Sequence, residues 1–138
     1  SISAIYTVLV EGDDFNEPIS DNMRSIVDGH IMLDRSLVSR SQYPAIDVLN
    51  SVSRLSKSIL SKEKISKINK LRELVSRYEE SREMIEMGLY VKGNNATTDM
   101  AIELNDEILG LLKQPDDEFS DDGSTWKKVD LICSNMKV

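Results

Sequence analysis

The chain has 138 residues, 40% of them hydrophobic and 30% charged, with a formal net charge of -7. That length accommodates one domain with a core, or one small domain and part of another, and the composition is globular rather than disordered. The acidic balance argues against general nucleic-acid binding, the lone Cys133 excludes an internal disulfide framework and fits a reducing cytosol, and no apolar run approaches the roughly 20 residues of a membrane span.

From the N-terminus, Tyr6, Thr7, Val8, Leu9 and Val10 make an apolar, β-branched run. Residues 2–10 are therefore expected to form a strand buried on both faces, as in parallel α/β sheets. Ser1 is not an initiator methionine, so further residues are expected to precede it. Glu11, Gly12, Asp13 and Asp14 form a polar turn at the strand's carboxyl end, where open α/β sheets place ligands. Pro18 opens a short helix through about Val27, which Asp28 and Gly29 break. Residues 30–33 read as a second short strand, and Asp34 is placed to cap a helix over residues 35–40. Tyr43 and Pro44 end that helix, because the residue before proline is pushed out of the α region. The stretch from Tyr43 to Arg54 reads as a turn-rich connection.

Beyond Arg54 the character becomes helical, with Ser56, Lys57, Ser58, Ser61 and Lys62 marking the junction. The expected division is residues 1–57 and residues 58–138. Ile65, Ile68, Leu71, Val75, Tyr78, Ile85 and Leu89 recur at three- and four-residue steps, as on one face of a long helix over about residues 62–87. Residues 88–98 carry Gly93, Asn94 and Asn95 and read as a loop. Ala101, Leu104, Ile108 and Leu111 line a second helix that stops at Pro115. After an acidic loop at 116–122, Trp126, Val129, Ile132, Cys133 and Met136 line a third. Three amphipathic helices with short connections make a small bundle.

Chemistry-bearing motifs are sparse. Neither a phosphate-binding Gly-x-x-x-x-Gly-Lys-Ser/Thr nor a dinucleotide Gly-x-Gly-x-x-Gly occurs. His30 and Cys133 supply no metal-ligand cluster, and His30 reads as a packed or hydrogen-bonded histidine. Asp13 and Asp14 read as solvated or capping groups rather than cation ligands. The basic residues Lys57, Lys62, Lys64, Lys67, Lys70, Arg72, Arg77 and Arg82 read as a solvated face laced with Glu63, Glu73, Glu79 and Glu80, ahead of a docking surface. Tyr43 and Arg54 stand eleven residues apart. A tyrosine face suits stacking on a base, and an arginine fork suits charge on a transferred phosphoryl group. On the residues alone the structural role is the better reading: Tyr43 as a half-buried anchor and Arg54 as a salt-bridge partner.

The runs Ser1 to Asp14, Asn16-Glu17-Pro18-Ile19, Asp28 to Arg35, Tyr43-Pro44-Ala45-Ile46-Asp47-Val48 and Ser51-Val52-Ser53-Arg54 resemble the protein-export ATPases of flagellar and type III secretion systems. Those ATPases are in turn similar to the catalytic subunit of the rotary ATP synthase. The likeness covers residues 1–60 strongly and continues more weakly through 88–93, 99–102 and the final helix. It implies an α/β fold: the terminal part of a RecA-like P-loop ATPase domain, followed by a small α-helical bundle domain. The phosphate loop and most Mg2+ ligands would lie upstream, leaving this segment inactive alone.

By the family pattern, Tyr43 would stack on the adenine of ATP, and Arg54 would act as an arginine finger in the site of a neighbouring subunit. No metal ligand is assigned within the chain. The same resemblance implies a homo-oligomer, expected to be a hexamer, in the cytoplasm at the base of the export apparatus, peripheral to the inner membrane. A central stalk protein would meet the loop over residues 89–98, near Leu89 and Thr98. There the rotary relatives are acidic, whereas this loop is asparagine-rich and carries Lys92. Export chaperones and substrates would engage the helical domain, and no nucleic acid is expected. After Gln114 and Pro115, where the synthase has an aromatic against the adenine, this chain has Asp116. The competing readings are a non-enzymatic helical module that docks a stalk protein or chaperone, and a rotary ATP synthase subunit.

Overall fold

The structure, a computed structural model, describes residues 2–10, 12, 14 and 17–136. Among these residues eight elements follow in order: α1 (Pro18–Ile26), β1 (Gly29–Leu33), α2 (Arg35–Ser39), β2 (Ile46–Ser53), α3 (Ser56–Ile59), α4 (Lys62–Glu86), α5 (Ala96–Leu112) and α6 (Asp122–Asn135). β1 and β2 pair antiparallel, with Leu33 opposite Ile46 and Gly29 opposite Ser53. The register shifts between His30 and Met32, which pair with Val52 and Asp47, so residues 48–51 stand against Ile31 alone. This is a large bulge in β2. Gly29 is required by close approach, because a Cβ there would lie 2.6 Å from the Val52 carbonyl oxygen.

Two expectations fail here. Residues 2–10 form no strand; Ile2 is 100% exposed and Leu9 92% exposed. A strand buried on both faces needs flanking strands and covering helices, and among the described residues the sheet consists of β1 and β2 only. Conversely, the stretch after Tyr43, read as a turn-rich connection, is the strand β2. The turn at Glu11 and Asp13 lies outside the described residues. The expected division between residues 57 and 58 falls within α3.

The helices behave largely as their patterns require. α4 begins at Ser61, whose side chain accepts from the Lys64 amide. α5 begins at Asn95, whose Oδ1 accepts from the amides of Thr97 and Thr98. α6 begins in a capping box: Asp121 Oδ1 accepts from the Ser124 amide while Ser124 Oγ accepts from the Asp121 amide. Each such cap is worth about 1 kcal/mol. The apolar faces of the three helices meet in one core, made of Leu71 and Leu74 from α4, Ala101, Leu104 and Ile108 from α5, and Val129 and Ile132 from α6. Leu89, counted on the helical face from its spacing, lies beyond α4 and is exposed.

α2 and α4 end in the same manner. In α4 the Gly88 amide donates to Ile85 O and the Leu89 amide to Met84 O, with Gly88 at φ +69°. In α2 the Ser41 amide donates to Val38 O and the Gln42 amide to Leu37 O, with Ser41 at φ 53°. Both are Schellman closures, and the second forces a serine into the left-handed region that glycine favours. A β-branched residue there loses more. Ser41→Val should lower the unfolding free energy of the chain by about 1–2 kcal/mol in urea denaturation, whereas Ser41→Gly should not lower it.

Candidate functional site

Tyr43 and Arg54 flank β2, Tyr43 three residues before Ile46 and Arg54 directly after Ser53. The α2 closure turns the chain at Ser41, Gln42 is buried beneath it, and Tyr43 follows across a cis bond to Pro44, its side half open to solvent at 53% exposure. The Tyr43 carbonyl accepts a hydrogen bond from the Gln114 amide at 2.8 Å. That bond brings the segment after α5, including Pro115 and Asp116, beside Tyr43. The segment is itself tied down: Gln114 Nε2 donates to Glu118 O, and Glu118 pairs with Lys128 at 2.9 Å. Phe119, an exposed aromatic on it, drew no attention in the sequence because it sits in an acidic loop without periodicity.

Arg54 lies just past the other end of β2, where its amide donates to Asp28 O at 2.8 Å. Its guanidinium donates to Arg24 O at 3.0 Å and Ser25 O at 3.3 Å, at the carboxyl end of α1. A cation is stabilised by helix carbonyls at that terminus. Among the described residues Arg54 pairs with no carboxylate, so its charge is not neutralised there. The ends of β2 face the two ends of five-residue β1, so they are separated by about 14 Å. The structure therefore does not bring Tyr43 and Arg54 together.

Between them the bulge is held from both sides. Asp47 Oδ1 accepts from the amides of Leu49 and Asn50, at 2.9 and 3.0 Å. Ser51 Oγ donates to Asp47 O and accepts from the Met32 amide. His30 Nε2 donates to Asn50 O at 3.1 Å, a hydrogen-bonded histidine as its sequence context suggested. Arg72 on α4 donates to Leu49 O at 2.8 Å and Ser51 O at 3.2 Å. Sequence reasoning placed Arg72 on a solvated face; only knowledge of the strand would have revealed it. The other helix cations fit the solvated reading better, in pairs such as Arg77 with Glu80 and Arg82 with Glu86. Lys67 meets both Glu63 and Asp130, and its ammonium pKa is pushed up chiefly by the hydrogen bond to Asp130. Lys64 stacks over Trp126, 4.2 Å from the ring centroid.

A cleft of about 220 Å³ separates the hairpin from α4 and α5, lined by Asp47, Asn50, Tyr78 and Asn105 among others. Arg40 and Glu79 span it with a hydrogen-bonded ion pair at 3.0 Å. No group of three or more His, Cys, Asp or Glu side chains among the described residues is arranged to hold a metal ion.

At the far end of α4, the loop is closed by Asp99. Its Oδ1 accepts from Tyr90 Oη at 2.8 Å and its Oδ2 from the Gly93 amide at 2.9 Å. Met84, Met87, Leu89 and Val91 form an exposed apolar group around this loop.

The chain matches two family models in succession: the ATP synthase alpha/beta family, nucleotide-binding domain, over residues 1–53, and the T3SS EscN ATPase C-terminal domain over residues 60–130. It is 47% identical over 118 residues to the flagellum-specific ATP synthase of Bacillus subtilis (strain 168), covering 86% of this chain and 27% of that protein. The assembled ATPase EscN from the enteropathogenic E. coli type III secretion system superposes with a TM-score of 0.92 at 34% identity, covering 96% of this chain and 32% of that one. EscN in complex with its central stalk EscO gives a TM-score of 0.79 at 30% identity, over 83% of this chain and 28% of that one. The fold is thus the terminal part of a RecA-like nucleotide-binding domain followed by a helical C-terminal domain. The chain belongs to the type III secretion ATPase family. It spans about a quarter of the length of the flagellum-specific ATP synthase it matches.

The Tyr90–Asp99 bond has a pH signature. Partial burial, then the hydrogen bond to Asp99 and its charge, raise the Tyr90 phenol above its ordinary 10.0. The raised value means that the fold favours the neutral phenol. The contribution is complete below the ordinary value and is lost as pH rises through the raised one. Asp99→Asn should bring the Tyr90 midpoint down, read by NMR titration of the ring; an unchanged midpoint would show that Asp99 does not set it.

Proposed function

We propose that this chain is the C-terminal portion of an ATPase that couples ATP hydrolysis to the export of flagellar or type III secretion proteins. The observation that carries the reading is the placement of Tyr43 and Arg54 on either side of one strand, just beyond its two ends. A half-exposed tyrosine ring beside the Gln114 segment suits the face of an adenine, worth about 1–3 kcal/mol by stacking. Phe119 is the aromatic that segment has available as a second wall. Arg54, unpaired with any carboxylate among the described residues, suits the developing charge on a phosphoryl group held by the neighbouring copy.

Each chain then contributes to two nucleotide sites, and activity requires a closed ring, with a hexamer as the expected assembly. Mg2+ would neutralise phosphate charge when bound, and most of its ligands would lie upstream of this segment. The exposed apolar run at 2–10 is the surface that the remainder of the nucleotide-binding domain would cover. The boundary between the two domains is placed between residues 57 and 58.

The loop at the end of α4, with its apolar group and Lys92, is the surface proposed for a central stalk protein, the kind of partner with which EscN has been solved. Export chaperones and substrates would engage the helical domain, at the cytoplasmic base of the export apparatus. No helix among the described residues is long and apolar enough to cross a membrane, and attachment to the inner membrane would run through the apparatus.

In the full-length assembled protein, Arg54→Ala should keep nucleotide binding and lose about a thousandfold in kcat. Tyr43→Ala should instead raise KM for ATP about tenfold or more with a smaller change in kcat. Steady-state phosphate release and fluorescent-nucleotide binding check both; normal turnover in Arg54→Ala would sink the assignment.

A further inference from the structure

We propose that Arg72 is a positioning residue for Arg54, acting from the helical domain through the bulge of β2. The inference rests on the reading of Arg54 as the residue that serves a neighbouring copy's nucleotide.

The bulge has two sets of polar backbone groups. The Leu49 and Asn50 amides are taken by Asp47, within the strand itself. The Leu49 and Ser51 carbonyls are taken by Arg72, which reaches over from α4. Each of its two terminal nitrogens donates to a different carbonyl. That fork fixes both the distance of the bulge from α4 and its rotation, which a lysine ammonium, a single point charge, does not. Ser51 is followed by only Val52 and Ser53 before Arg54, and both are paired with β1. The Arg54 amide is in turn bonded to Asp28. This short paired segment carries a displacement of the bulge directly to the base of the Arg54 side chain.

The hairpin does not depend on Arg72 for its own closure. The β1–β2 ladder, the Asp47 turn and the Ser51 hydroxyl bonds all lie within the hairpin. Removing Arg72 therefore leaves the strand formed and loosens its placement against α4. Misplacing a catalytic group by about 1 Å costs up to about a hundredfold in rate. The effect falls on kcat, because Arg54 meets charge that develops during transfer, and Tyr43 remains anchored by the Gln114 amide.

The test is a double-mutant cycle on the full-length assembled protein, with single-turnover release of labelled phosphate so that residual rates stay measurable. Arg72→Ala should lower kcat by about ten- to a hundredfold with KM for ATP changed by less than about twofold. Added to Arg54→Ala, it should lower the rate no further. Arg72→Lys, which keeps the charge without the fork, should recover only part of the loss, and it carries the same comparison if Arg72→Ala fails to assemble. An equal fractional loss in both backgrounds, or a rise in KM alone, overturns the positioning role while the reading of Arg54 stands. Wild-type turnover in Arg54→Ala alone overturns that reading, and the positioning role with it.

Discussion

A strand that sets four residues against one must find partners for the backbone groups it withdraws from the ladder. In β2 the Leu49 and Asn50 amides go to Asp47, the Asn50 carbonyl to His30 across the hairpin, and the Leu49 and Ser51 carbonyls to Arg72. This division decides the architecture around it. Because the amides are satisfied within the hairpin, the hairpin holds its shape; because two carbonyls are satisfied from α4, the hairpin is fastened to the helical domain. Hydrogen bonds from a charged donor are worth about 1.5–3 kcal/mol each, which makes the Arg72 fork a stronger tie than an exposed ion pair.

Two further ties complete the junction, and both start from the connection between α2 and β2. Arg40, at the close of α2, pairs with Glu79 on α4. The Gln114 amide, just past α5, holds the Tyr43 carbonyl. Burial, followed by the charges of Glu86, Asp47 and Asp34, pushes the Glu79 carboxyl upward, so the Arg40 pair works against a local excess of negative charge. Together the three ties leave a cleft rather than a packed core between the two units. Polar ties across a cleft admit small relative movements that an interdigitated apolar core resists.

The helical half was legible in the sequence because its signals are local. Apolar steps of three and four act within one or two turns of chain, whereas Asn95 and Asp121, read as loop residues, turn out to be the caps of α5 and α6, and α5 starts at Ala96 inside the expected loop. The strand half was not. β2 hides its period of two because Asp47, at the edge of the bulge, and Ser51, within it, bond their side chains to backbone instead of alternating between faces. Residues 2–10 show the opposite failure: the pattern of a buried strand is present, but pairing is a property of neighbours, and none of the described residues pairs with it. Tyr43 and Arg54 were singled out by type and by family resemblance. Arg72 was missed by both, since its role depends on which carbonyls the fold lays beside it.

α4 is the element on which these observations converge. Its middle contributes Leu71 and Leu74 to the core, and Arg72, between them in sequence, points the other way to the bulge. Its last turn leads into the loop that Asp99 closes through Tyr90 and Gly93. A single helix of 25 residues thus has the proposed stalk surface at one end and the strand that leads into Arg54 along its side. A helix packed along a core moves as a unit more readily than it bends, since bending without proline or an inserted group disturbs its own hydrogen bonds. Force on the loop would then reach the bulge as a displacement of Arg72. The loop is fastened to α5 by Asp99 and the bulge to α4 by Arg72, so about 21 Å of helix, held by directional bonds at both ends, separates the two.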